Sequence, residues 1–176
     1  MRLEIRFSGF GGQGVILASV ILGKTVILEG KEAIQNEAYG PEKRGSLLRS
    51  DIIITDGAKI HHSVIDKADI LVAMSESALK AHKDNIKKDG MVLIDSQMIK
   101  NKELLKELNV IEIPARKIAE EVGSSLATNM VMLGYLCKLK SIVKLESLLS
   151  VLETSVKKKY VELNKKAMKE GYNFSG

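Results

Sequence analysis

The stretch from Leu3 to Leu17 constrains this chain more tightly than any other. Leu3, Ile5 and Phe7 alternate with polar residues, the period of a half-buried strand. Glycines follow at positions 9, 11, 12 and 14, and then an apolar run from Val15 to Leu28 with Ala18 and Gly23 as its small positions. The pattern is a strand, a tight turn and a helix amino terminus. Gly9, Gly11 and Gly14 fit the spacing G-x-G-x-x-G. A residue without Cβ lets the backbone turn sharply and come close to a ligand. Free N–H groups at the start of a helix then attract an anion, usually a phosphate. Gly14 is followed by Val15 rather than by Lys-Ser or Lys-Thr, so this is not a P-loop. The dinucleotide form also wants an acidic residue about 20 residues further on, at the end of a second strand. Glu32 comes too early on the segment Glu32 to Asn36, and Glu37 sits just past it. Two readings therefore stay open: an anion site, or a turn that uses glycine only for close strand–helix packing.

A chain of 176 residues is sized for one domain with a large core. Its net charge of +5 raises nucleic acid as a partner. Lysine and glutamate are interspersed, however, and few aromatics are available for base stacking, so a solvated lysine-rich surface is the better reading. No apolar run reaches the length of a membrane span, and the amino terminus leads directly into a strand without a signal peptide. The chain is read as cytoplasmic. Its one cysteine, Cys137, cannot form an internal disulfide or hold a cysteine-ligated cluster or zinc site alone. Cys137 lies in an apolar helical run and is read as buried packing.

Beyond the first helix, which Gly30 should stop, Glu32 to Asn36 reads as a short strand. Glu37 to Gly45 reads as a loop with a Tyr39-Gly40-Pro41 turn, and Ser46 to Thr55 as a strand. Asp56-Gly57 is predicted to make a hairpin turn into a return strand, Lys59 to His62. The continuous run Asp69 to Met74 fits a central parallel strand. Ser75 is placed to cap a helix from Glu76 to His82. After an Asp89-Gly90 turn come a strand from Met91 to Asp95, a helix from Asn101 to Leu108 and a strand from Asn109 to Ile113. The last third is predicted helical, over 115–122, 127–138, 145–152 and 156–169, with Lys157-Lys158-Lys159 on a solvated face.

The loop from Glu37 to Gly45 decides the topology. A parallel connection needs a dozen or more residues, usually with a helix. This loop is too short, so the third strand should run antiparallel to the second in a mixed sheet. The loop then lies at the sheet edge that carries the glycine turn, where Tyr39, Lys43 and Arg44 can converge beside a helix amino terminus, an arrangement suited to an anion. Ser75, Asp95 and Ser96, at strand carboxyl ends, join the same edge; helix capping is the plainer role for Ser75 and Ser96. Arg49 and Asp51 share a face and read as a local ion pair. His61 and His62 point to opposite faces and cannot chelate one metal together, and His82 reads as solvated.

Four motifs occur in order: Gly9-Phe10-Gly11-Gly12-Gln13-Gly14, Tyr39-Gly40-Pro41-Glu42-Lys43-Arg44-Gly45, Arg49-Ser50-Asp51 and Asn129-Met130-Val131-Met132-Leu133-Gly134. In this combination the chain resembles the gamma subunit of the 2-oxoacid:ferredoxin oxidoreductases from Arg2 to Tyr172. It is most similar to the 2-oxoglutarate type, with the 2-oxoisovalerate and pyruvate types as neighbours. Ser46 departs from the family, which often has a second glycine after Arg-Gly.

The resemblance implies one gamma-type domain over residues 1–176, an α/β/α sandwich with a mixed, mostly parallel sheet and a helical carboxyl-terminal third. It implies a place in a complex that decarboxylates a 2-oxoacid on thiamine diphosphate, forms an acyl-CoA and reduces ferredoxin. Thiamine diphosphate, Mg and 4Fe-4S clusters then belong to partner subunits of alpha, beta and delta type, with coenzyme A as a substrate and no cofactor held by this chain alone. The isolated chain is expected to be inactive and to self-associate. The family's gamma domain is expected to close over the coenzyme A side of the active site, and Gly11, Gly12, Gln13, Gly14 and Arg44 are assigned to that contact or to a partner subunit. No catalytic or metal-binding residue is assigned. The competing reading is a free dinucleotide-binding protein or NAD-dependent enzyme.

Overall fold

The computed structural model describes residues 1–40 and 46–175. Six strands form one sheet in the order β2-β3-β1-β4-β5-β6. They are β1 (Arg2–Phe10), β2 (Glu32–Tyr39), β3 (Leu47–Thr55), β4 (Ala68–Ala73), β5 (Ile86–Asp95) and β6 (Asn109–Ile113). β3 runs antiparallel to both β2 and β1, while β1, β4, β5 and β6 are mutually parallel. The short connection after β2 thus has the consequence expected of it: the chain reverses, and the sheet is mixed.

Helices cover both faces. On one side lie α1 (Val15–Leu28), α3 (Ala115–Val122), α4 (Thr128–Lys140), α5 (Leu145–Ser155) and α6 (Val161–Asn173). Their main core gathers Ile5, Phe7, Ile52, Ile54, Ile70, Val72 and Leu93 from the sheet with Ile21, Leu22, Met130, Leu133 and Leu136 from the helices. Each fully buried side chain of this size contributes about 1.5–3 kcal/mol. On the other side, α2 (Glu76–His82) packs Ala78 and Leu79 against Leu71, Ala73, Val92 and Ile94.

Coverage on both faces changes the reading of β1. The alternation predicted a half-buried strand, yet Ile5, Arg6, Phe7 and Ser8 are all buried. Arg6 forms a fork on Asp51, with Nε to Oδ1 at 2.7 Å and Nη2 to Oδ2 at 2.8 Å, and Nη2 also donates to the Ile65 carbonyl at 2.7 Å. The Arg49–Asp51 contact exists at 3.5 Å, but Arg6 is the principal partner of that carboxylate.

Several predicted boundaries are corrected. β2 continues to Tyr39, so Glu37 and Tyr39 stand on a strand, where the Tyr39 hydroxyl donates to Glu37 at 2.7 Å. Lys59 to His62 is not a strand, because both edges of β3 are already taken by β1 and β2. The face argument for His61 and His62 lapses with it. Asp89-Gly90 lies within β5, where the pairing with β4 shifts register. The helix predicted from Asn101 is one 3₁₀ turn, Lys102–Leu105, ended by Glu107 at φ 63°. α6 starts at Val161 rather than at Val156, and the three lysines lie just ahead of it.

α4 and α6 touch backbone to backbone. A Cβ on Gly134 would lie 2.2 Å from the Met168 carbonyl oxygen, and one on Gly171 would lie 2.0 Å from that of Val131. These two glycines set the closest approach of the pair.

Candidate functional site

Phe10 ends β1, and the chain turns through Gly12 at φ 92° and Gly14 at φ 73° before α1 begins at Val15. Both angles are in the left-handed region that favours glycine. Inside the turn, Gln13 is a brace. Its Oε1 accepts from the Phe10 N–H at 2.7 Å and its Nε2 donates to the Met74 carbonyl at 3.0 Å, tying the ends of β1 and β4 together. Gly9 makes room for it, since a Cβ there would sit 2.5 Å from that Oε1. Asn129, at the start of α4, braces the other side: its Nδ2 donates to the Gly14 carbonyl at 3.2 Å.

The glycines thus divide into two pairs. Gly9 and Gly14 serve packing. Gly11 and Gly12 are exposed, and a Cβ on either would meet no atom of the described residues within 4 Å. Of the two readings left open by the spacing, close packing accounts for Gly9 and Gly14. Among the described residues α1 has no side-chain cap, and it has no acidic residue in its first turn.

Two cavities open beside Gly12. One, of about 150 Å³, is lined by Gln13, Met74, Asp95, Arg116 and Thr128. The other, of about 440 Å³, is mostly apolar and is lined by Leu17, Leu126, Val156, Lys157, Tyr160 and Leu163. Leu126 borders both and is 78% exposed. Asp95 is buried, accepts from the Gln97 and Arg116 N–H groups, and is pushed above the usual carboxylate range by burial. Its hydrogen bonds fix the start of α3 beside the first cavity.

The other residues assigned to this edge fall as follows. Ser75 caps α2 through the Ala78 N–H at 3.1 Å, whereas Ser96 has only a backbone role, donating to the Ile113 carbonyl. Neither lines the two cavities. Tyr39 is exposed and bonded to Glu37. Lys43 and Arg44 lie outside the described residues. The Gly11 N–H reaches the Ser46 carbonyl at 3.4 Å, so the start of β3 is beside the turn. Cys137 is fully buried in α4, and burial pushes its thiol up, away from the thiolate form.

His82 is a correction. It is half-buried, its Nε2 lacks a hydrogen-bond partner among the described residues, and it is pushed down to about 4 by burial and by Arg6 and Arg49. A lone histidine on a charged helix gave no signal of this, because the cations that face it come from β1 and β3.

The model of the pyruvate ferredoxin/flavodoxin oxidoreductase family matches residues 4–174. The chain belongs to that family. Over 175 residues it is 42% identical to the 2-oxoglutarate synthase subunit KorC of Methanocaldococcus jannaschii, covering 98% of this chain and 93% of the relative. The keto/oxoacid ferredoxin oxidoreductase gamma subunit of Geobacter sulfurreducens has the same fold, with a TM-score of 0.81 at 34% identity, over 97% of this chain and 96% of that one. A 2-oxoglutarate:ferredoxin oxidoreductase from Magnetococcus marinus, solved with 2-oxoglutarate, coenzyme A and succinyl-CoA bound, superposes with a TM-score of 0.86 at 25% identity. There the match covers 97% of this chain but 30% of the longer one. This family member is thus a gamma-type subunit of a 2-oxoacid:ferredoxin oxidoreductase, on the 2-oxoglutarate synthase side of the family. None of the helices among the described residues is long and apolar enough to cross a membrane.

Proposed function

We propose that this chain is the gamma subunit of a cytoplasmic enzyme that oxidatively decarboxylates 2-oxoglutarate to succinyl-CoA and passes the electrons to ferredoxin. The observation that carries the reading is the end-to-end similarity to a 2-oxoglutarate synthase subunit, 42% over nearly the whole of both chains. In this reading the alpha, beta and delta-type partners hold thiamine diphosphate, Mg and the 4Fe-4S clusters. The chain's own chemistry supports that allocation: its single cysteine is buried in a helix and held as the thiol.

The chain contributes a face rather than a reaction step. Gly11, Gly12, Gln13 and Gly14, with Arg44, contact coenzyme A or a neighbouring subunit. Support comes from the space over Gly11 and Gly12, which no described residue fills, the exposed Leu126 beside them and a start of α1 with no side-chain cap among the described residues. Gln13 takes part by bracing the loop, and Gly14 by seating it on Asn129.

Anaerobic purification through a tag on this chain tests the assignment. Partner chains are identified by mass, and coenzyme A-dependent reduction of a ferredoxin substitute is followed with 2-oxoglutarate, 2-oxoisovalerate and pyruvate. Co-purification of cluster-bearing chains with turnover on 2-oxoglutarate is the expected result. Dominant turnover on another acid moves the chain to the 2-oxoisovalerate or pyruvate type. A chain recovered alone that binds a nicotinamide nucleotide overturns the subunit reading. Gly11→Leu tests the loop in the assembled complex: a raised KM for coenzyme A places the ligand there, loss of co-purification places a subunit there, and neither removes the assignment.

A further inference from the structure

The sheet has two edges, and they are unlike. β6 is five residues long, is followed directly by Pro114, and carries Glu112 tied to Lys102. Short edges and charged, tethered side chains are the ordinary protection against strand pairing. β2 lacks them. It has eight residues paired to β3 in unbroken register, without a bulge, a lysine or a proline, and no residue of it is buried. Among the described residues only β3 pairs with it. Ile34 is 36% exposed and Tyr39 63%. Ile27 and Leu28, at the carboxyl end of the α1 helix that packs on β2, are also exposed.

An unpaired edge of this length is a row of alternating donors and acceptors that only another extended strand satisfies in full. We propose that β2 pairs antiparallel with β2 of a second copy of this chain, around a two-fold axis at Asn36. The sequence of the strand selects this occupant. A two-fold axis normal to the sheet sets residues of the same face opposite one another. Glu32 and Glu37 are on opposite faces, so they never oppose each other in such a pairing. With Asn36 on the axis, Gln35 faces Glu37, Ile34 faces Ala38 and Ala33 faces Tyr39. Amide meets carboxylate, and Ile34 and Tyr39 each meet an alanine, so no like charges stand directly opposite, the arrangement that would oppose pairing. Within one chain Gln35 Nε2 already donates to Glu37 Oε1 at 3.1 Å, so the same two groups form a cross-strand network in the pair. The result is one twelve-stranded sheet. The axis lies at the opposite edge from β6, and the pairing does not depend on the assignment of the glycine loop.

Sedimentation of the purified full chain, with Asn36→Lys and Asn36→Cys variants, tests this. The wild-type chain is expected at twice the 19.3 kDa chain mass. Asn36→Lys sets two ammonium groups opposite each other on the axis and is expected at the single-chain mass with an unchanged circular dichroism spectrum. Under mild oxidation Asn36→Cys is expected to give a disulfide-linked dimer, while Glu112→Cys on β6 stays a single chain; the buried Cys137 does not compete. A wild-type chain at the single-chain mass overturns the proposal. So does linkage at position 112 as complete as at position 36, or a folded Asn36→Lys that retains the double mass.

Discussion

Asn129 closes over Gly14 from a place 115 residues away, its Nδ2 donating to the Gly14 carbonyl at 3.2 Å while its Oδ1 accepts from the Met130 N–H. A Cβ on Gly14 would stand 2.1 Å from that nitrogen. Gly14→Ala therefore combines a left-handed backbone with a collision. It is expected to cost about 2–5 kcal/mol, summing the positive-φ penalty and overpacking. Gly12→Ala meets no described residue and should cost only the backbone term, about 1–2 kcal/mol. Denaturant midpoints of the two variants decide between a loop held by packing and one held by turn geometry alone.

The buried Arg6–Asp51 fork offers a second test. Removing one partner leaves the other charge buried and unpaired, so Arg6→Met or Asp51→Leu is expected to destabilise by about 3–5 kcal/mol. The double variant should lose much less than the sum of the two. Additive losses in a double-mutant cycle would show that the pair is not coupled.

Gly134 and Gly171 allow α4 and α6 to touch. Alanine at either position sets a methyl within 2.2 Å of a backbone carbonyl. Helix backbones do not yield as a flexible side chain does, so each variant is expected to lose at least about 1–3 kcal/mol. Matching variants at Gly11, which is exposed and whose Cβ would meet no described residue, should unfold at the wild-type midpoint.

His82 should give the fold a pH dependence. Its value in the folded chain lies near 4, below the usual 6.5, because of burial and the facing Arg6 and Arg49, with Asp51 opposing them. The unfolded chain therefore takes up a proton more readily. Stability is full above about pH 6.5 and falls as the pH drops toward 4. His82→Asn is expected to flatten that part of the profile relative to wild type, which thermal melts between pH 4 and 7.5 can read. Parallel curves for the two proteins would mean that His82 is not the source.

Much of the architecture was legible because local rules decided it. The run Ile70 to Met74 is apolar throughout, as a strand covered on both faces must be. The loop after β2 is too short for a crossover, so β3 had to reverse. The failures share one cause. Alternation along β1 made Arg6 look solvent-facing, and the turn at Asp56-Gly57 looked like a hairpin. Neither reading allowed for what lies above the second face of the sheet, or for which edges of β3 are already paired. His82 was misread in the same way, since its neighbours are distant in sequence.

The sequence by itself determined that a glycine turn joins a strand to a helix, that the sheet is mixed, and which family of chains this one resembles. Those follow from backbone freedom, chain length and residue order, which are local properties. Only the tertiary structure decided how the glycines divide. Gly14 is committed to Asn129 and Gly9 to Gln13, while a Cβ on Gly11 or Gly12 would meet no described residue. That division depends on which side chains from β4 and α4 arrive at the turn, and such arrivals are set by packing across the whole domain.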